Sequence, residues 1–138
     1  MVLKWDDNAK NKIKEALIRG AMSTAEEVLS ESLILVPRDT GTLGNSGTIT
    51  VDKLPDPSTA YNEAKVKALD SDTDYSPDID TIYISYNTPY ANKQHEDLQL
   101  NHPNGGEAKF LEKAWNRKGG AKRIRKNITV ESKKMGLL

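Results

Sequence analysis

Apolar positions near the start of the chain recur at steps of three, four and seven: Ile13, Leu17, Ala21, Ala25, Val28 and Leu35. That spacing is one stripe of an amphipathic helix. Lys10, Lys12, Lys14, Glu15, Glu26, Glu27 and Glu31 fill the other faces. Asp6 and Asp7 both suit a helix N-cap, and Pro37 ends the pattern because the residue before a proline is pushed off helical angles. The spacing predicts a helix over residues 7–36, about 45 Å long at 1.5 Å per residue. Gly20 is its expected weak point and the place for a bend.

After Pro37 the period changes. Residues 38–47 are rich in Thr, Gly and Asn and read as a turn and loop. Residues 48–51 read as a strand with Ile49 and Val51 on one face. Residues 81–86 are the clearest strand, Ile82 and Ile84 alternating with Tyr83 and Ser85. Thr88 and Pro89 are expected to open a helix running to about Leu98. Residues 101–106 form a turn, and 108–117 a helix with Phe110, Leu111, Ala114 and Trp115 on one side. Gly119 and Gly120 break it. Residues 121–135 read both ways: Ile124 and Ile128 suit a helix, while Ile128, Thr129 and Val130 suit a strand. Between the two strands, residues 52–80 are polar and hold Pro55, Pro57 and Pro77. Apart from a candidate short helix at 60–69, this stretch is expected to be a mobile loop. The whole predicts one α+β domain over 1–138. A long N-terminal helix packs on a small, mostly antiparallel sheet, with shorter C-terminal helices.

Composition narrows the chemistry. The chain has no cysteine, which excludes a disulfide framework, thiolate metal sites and cysteine catalysis. Its longest aliphatic run, residues 33–36, is far too short to span a membrane, so no membrane partner is expected. Lys4, Asp6 and Asp7 follow the start too closely for a secretory signal, and synthesis and use in a cytoplasm are expected. Twenty basic residues balance twenty acidic ones. The balance is uneven along the chain: residues 52–80 carry eight acids against three lysines, and residues 109–138 carry ten bases against two acids. Two solvated surfaces are the ordinary reading of that asymmetry. Complementarity between copies or with a charged partner is the sharper one.

Four constellations could carry chemistry. Asp39-Thr40-Gly41 is the tripeptide of aspartic proteases, and two copies in a dimer could share a proton over one water. It follows a helix end rather than an apolar strand, so a turn is the better account. Asp70, Asp72 and Asp74 alternate like calcium-loop ligands, but Tyr75 and Thr81 stand where Gly and Glu are required. His95, Glu96 and His102 are candidate metal ligands, without the second histidine of a zinc-protease helix. Lys118, Lys122, Arg123, Arg125 and Lys126 are candidate contacts for DNA or a partner protein, with no interleaved aromatic to stack on single-stranded bases. No cofactor motif is present.

Three segments taken in order carry a resemblance. The first is a long helix ending in Leu35-Val36-Pro37-Arg38-Asp39-Thr40-Gly41-Thr42-Leu43-Gly44-Asn45-Ser46. The second is Ile84-Ser85-Tyr86-Asn87-Thr88-Pro89-Tyr90-Ala91, continuing to Gln94-His95-Glu96. The third is Gly105-Gly106-Glu107-Ala108-Lys109-Phe110-Leu111-Glu112-Lys113-Ala114. This order resembles the tail-completion or head–tail joining proteins in the neck of long-tailed bacteriophages, often called minor capsid proteins. Gly47, where relatives commonly carry a larger apolar residue, and the Gly119-Gly120 break depart from the pattern. The resemblance implies a structural virion protein with no catalytic set and no cofactor, made in the bacterial host's cytoplasm. It also implies a homo-oligomeric ring, a hexamer by analogy, joining the head-closure or connector protein to the tail tube or tail terminator. DNA passes through such a neck. Pro37, Asp39, Thr40, Gly41, Leu43, Ser46, Tyr90, Ala91, Phe110, Leu111 and Ala114 are then folding determinants. Leu43, Tyr90, Phe110 and Leu111 are the expected core anchors, and Phe110 and Leu111 should pack on Leu17, Val28 and Leu35.

Overall fold

A computed structural model describes residues 6–38, 42–55 and 78–138. Its first element, α1 (Asp7–Leu35), starts where Asp6 accepts a 3.0 Å hydrogen bond from the Asn8 amide. It stops at extended Val36, before Pro37. One turn of helix, α2 (Thr42–Asn45), leads into β1 (Gly47–Val51), which pairs antiparallel with β2 (Ile82–Tyr86). The register sets Ile49 opposite Ile84 and Val51 opposite Ile82. Alternation puts these four side chains on one face, and that face packs on α1. Short helices α3 (Ala91–Glu96) and α4 (Phe110–Arg117) follow, and α5 (Gly120–Lys134) lies against α1. The fold is α+β, as the sequence predicts. Among the described residues, no helix is long and apolar enough to cross a membrane.

The core has two parts, both built on α1. Val28, Leu35, Val36, Leu43, Ala91, Phe110 and Ala114 form one cluster. Met22, Ala25, Leu29 and Ile49 form the other, under the sheet. The ambiguous C-terminal segment is helical, and its contact with α1 runs through small and polar groups. Gly20 lies so close to Ile128 that a Cβ there would stand 2.6 Å from the Ile128 backbone nitrogen. Asn127 donates to the Thr24 hydroxyl at 2.9 Å, and Thr24 donates to the Gly20 carbonyl at 2.9 Å. Arg123 grips the Glu27 carboxylate with two nitrogens, Nη2 at 3.0 Å. Gly20 with Ile128, Thr24 with Asn127 and Glu27 with Arg123 run in opposite senses, so the two helices are antiparallel.

Several expectations need correction. Gly20 is the seat of a helix crossing, and its missing side chain is the reason the helices meet there. Leu17 and Ile13 are nearly half exposed, because the apolar stripe of α1 outruns the elements that cover it. Tyr90 is 42% exposed and is not a core anchor. Helix α3 is shorter than expected at both ends. The Ala91 amide donates to the Thr88 carbonyl at 3.1 Å, a tight turn that precedes the helix, and Asp97 is already extended. The candidate helix at 60–69 and the greater part of the acidic stretch lie outside the described residues.

At the base of that stretch Asp52 closes the stem of the ribbon. Its φ is 60°, in the left-handed region that aspartate tolerates better than most residues. Its amide donates to the Thr81 carbonyl at 2.8 Å. Its carboxylate accepts from the amides of Asp80 and Thr81, both at 2.9 Å. Those two donors hold its pKa below the ordinary aspartate value.

Candidate functional site

The motif segments meet at the C-terminal end of α1. Leu35 gives its carbonyl to the Glu107 amide at 2.8 Å, and Arg38 donates its amide to the Gly105 carbonyl at 3.2 Å. This short backbone pairing fastens the exit of α1 to the Gly105-Gly106-Glu107 segment. Gly106 makes the approach possible: with φ at 90°, a Cβ would stand 2.5 Å from the Val36 carbonyl oxygen. Pro37 is buried in this contact. Sequence reading placed Gly106 in a motif without seeing its role, which is to let two backbones touch.

The second junction is polar. Ser46 donates to the Leu43 carbonyl at 2.7 Å and accepts from the Asn87 amide at 3.0 Å. The Asn87 side chain donates back to the Ser46 carbonyl at 3.2 Å. The motif serine is fully buried and fully engaged, so it ties the turn after α1 to the end of β2. Nothing nucleophilic remains of it.

The third junction is aromatic. Phe110 is 1% exposed. The rings of Tyr86 and His95 meet it edge-on, with centroids 5.0 and 4.8 Å away. Aromatic pairs favour this T-shaped geometry. Tyr86 shares a 2.7 Å hydrogen bond with Ser32, a buried α1 residue absent from the expected stripe. Burial pushes the Tyr86 phenol up to about 12, the Ser32 bond opposing it. Leu43 and Phe110 share one cluster, as expected of core anchors, and the motif residues Ala91 and Ala114 join them there. Leu111 is half-buried beside it, and Phe110 shares that cluster with Val28 and Leu35 but not with the exposed Leu17.

Around this core runs a chain of exposed ion pairs. Glu96 bonds Lys109, and His95 Nδ1 lies 2.7 Å from Glu96. Both partners draw the Glu96 pKa down, Lys109 the more strongly, and Glu96 raises that of Lys109. Lys113, 2.9 Å away, lowers that of Glu107. His95 Nε2 has no hydrogen-bond partner among the described residues and borders a cavity of about 340 Å³ lined in part by Ser85, Tyr86 and Phe110. The hydroxyls of that lining make no hydrogen bond to His95 Nε2, and that of Tyr86 is bonded to Ser32 instead. Among the described residues, no three His, Asp or Glu side chains converge as a metal site. Asp39, Thr40 and Gly41, the protease tripeptide, lie outside the described residues, as do Asp70, Asp72 and Asp74.

The structure divides the five candidate basic contacts. Arg123 pairs with Glu27, which raises its pKa, and Lys118 lies 3.8 Å from Glu31. Both face α1 of the same chain. Lys122, Arg125 and Lys126 are exposed on the opposite side of α5. No family model, curated protein or solved structure matches the chain.

Proposed function

We propose that the chain is a structural joining protein of a tailed-bacteriophage neck, one subunit of a homo-oligomeric ring between the head connector and the tail. The observation that carries this reading is the convergence of the three motif segments. Residues of all three meet around Phe110, and the motif serine is locked between them. Motif residues spent on holding a shape are what an assembly subunit needs. Two further features support it. A two-stranded sheet is marginal by itself. Leu17 and Trp115 also stay substantially exposed beside a groove of about 820 Å³ between α1, β2 and α5. Such apolar surface gains stability when neighbours cover it.

Removing the gene from the phage genome that encodes it tests the reading. Filled heads and finished tails should accumulate separately, and supplying the protein in trans should join them. Intact infectious particles without the protein would overturn it.

A further inference from the structure

We propose that the solvent face of α5 is a sequence-independent docking surface for the phosphate backbone of duplex DNA. Helix α5 is a continuous 15-residue helix, Gly120–Lys134. At about 100° per residue, Lys122, Arg125, Lys126 and Lys133 fall within an arc of about 100°. Thr129 lies between them, and its hydroxyl bonds the Arg125 carbonyl at 3.0 Å. Lys122 and Lys133 are separated by about 16 Å along the axis. All four cations are exposed, and no ion pair joins any of them to another described residue.

The sorting of charge within this one helix is what gives the face a meaning. The acids of α1 that could neutralise it are held elsewhere: Glu27 by Arg123, and Glu31 by Arg117 and Lys118. Glu131, the acid of α5 itself, is turned from the arc and is bonded to Lys134. A solvated surface ordinarily mixes signs. Here a chain with no net charge gathers four cations in a single row.

The chemistry of the face selects the polyanion. It carries no aromatic ring, so single-stranded bases have nothing to stack on. It has no Asn or Gln to read adenine edges, and its cations stand in a row along the helix, the arrangement that suits phosphates, which carry no sequence information. Its one exposed apolar residue, Val130, is too little to anchor a helix in lipid. What remains is a rod of regularly spaced anions, and a duplex is one.

Fluorescence anisotropy of the full chain with a short random-sequence duplex, titrated from about 50 to 200 mM salt, tests this. Four phosphate contacts predict that log K falls against log salt with a slope of about −3 to −4. The combined variant Lys122→Gln/Arg125→Gln/Lys126→Gln should flatten the slope by about 3 while leaving the melting temperature unchanged. Lys118→Gln, which alters a cation facing α1, should leave the slope as it was. Absence of binding at the low-salt end, or an unaltered slope in the triple variant, would overturn the assignment. Equal competition per charge by polyglutamate would also overturn it, pointing to an acidic protein surface instead. The stripe does not depend on the neck reading. Loss of DNA binding would leave head–tail joining to be judged by the deletion phage, and a failed joining test would leave the salt slope standing.

Discussion

Gly106 lies against Pro37 so closely that a Cβ on it would stand 2.6 Å from the Pro37 nitrogen. Gly105, with a similar positive φ, faces open space. The pair separates two costs. Gly105→Ala carries only the backbone strain, about 1–2 kcal/mol. Gly106→Ala adds a collision with backbone that cannot rotate away, for a total of about 2–5 kcal/mol. Denaturant unfolding of both variants should show that order, and equal losses would mean the contact is soft.

Phe110 is expected to be the most costly single truncation. Phe110→Ala removes the ring between Tyr86 and His95 and should lower stability by about 3–5 kcal/mol. For a domain of ordinary stability that is a large share of the total. A melting temperature within error of the parent would show that the aromatic junction does not hold the fold.

Gly20→Ala poses a contest between two known effects. Alanine raises helix propensity by about 1 kcal/mol. Against it, the new methyl meets the Ile128 backbone nitrogen at 2.6 Å, and overpacking costs about 1–3 kcal/mol. The close atoms are backbone as well as side chain, so Ile128→Ala should not restore the loss. Net stabilisation by Gly20→Ala would show that α5 moves freely on α1.

Stability should fall at both ends of the pH scale, for separate reasons. Asp52 has its pKa lowered by the fold, so its contribution is present above the ordinary carboxylate value of about 4 and is lost as pH falls through the folded value. Asp52→Asn should flatten the acid limb of a melting-temperature profile. Tyr86 is raised from 10.0 to about 12, so its contribution is complete below the lower value and is lost as pH rises toward the upper one. Tyr86→Phe should remove that alkaline loss, at the cost of the Ser32 hydrogen bond, about 1 kcal/mol. An unaltered alkaline limb in Tyr86→Phe would place the titrating group elsewhere.

The elements that could be read from the sequence are those whose determinants are local. Asp6 and Pro37 bracket α1, and alternation marks both strands. Of the four core anchors expected, Leu43 and Phe110 are buried, Leu111 is half-buried and Tyr90 is exposed. Exposure was misread where the apolar pattern continued past its cover, at Ile13, Leu17 and Tyr90. The α1–α5 interface was illegible because Gly20, Thr24 and Asn127 bring no large apolar side chain to mark a buried face. Their fit depends on two helices a hundred residues apart. The same holds for Ser46 and Asn87, and for Ser32 and Tyr86, whose bonds join distant segments. The basic segment was visible as composition, but only the helix phase separates Arg123, bound to Glu27, from Lys122 and Arg125.

The antiparallel contact between α1 and α5 also governs how the chain is made. During synthesis, the face of α1 around Gly20 and Thr24 cannot meet α5 until Lys134 leaves the ribosome. Closing that contact joins segments about a hundred residues apart, and the long stretch between the strands adds little to the closure entropy, which grows only logarithmically with length. The nascent chain therefore cannot complete its fold in instalments. A ribosome that stops before residue 134 releases a protein whose longest helix is still bare along one side.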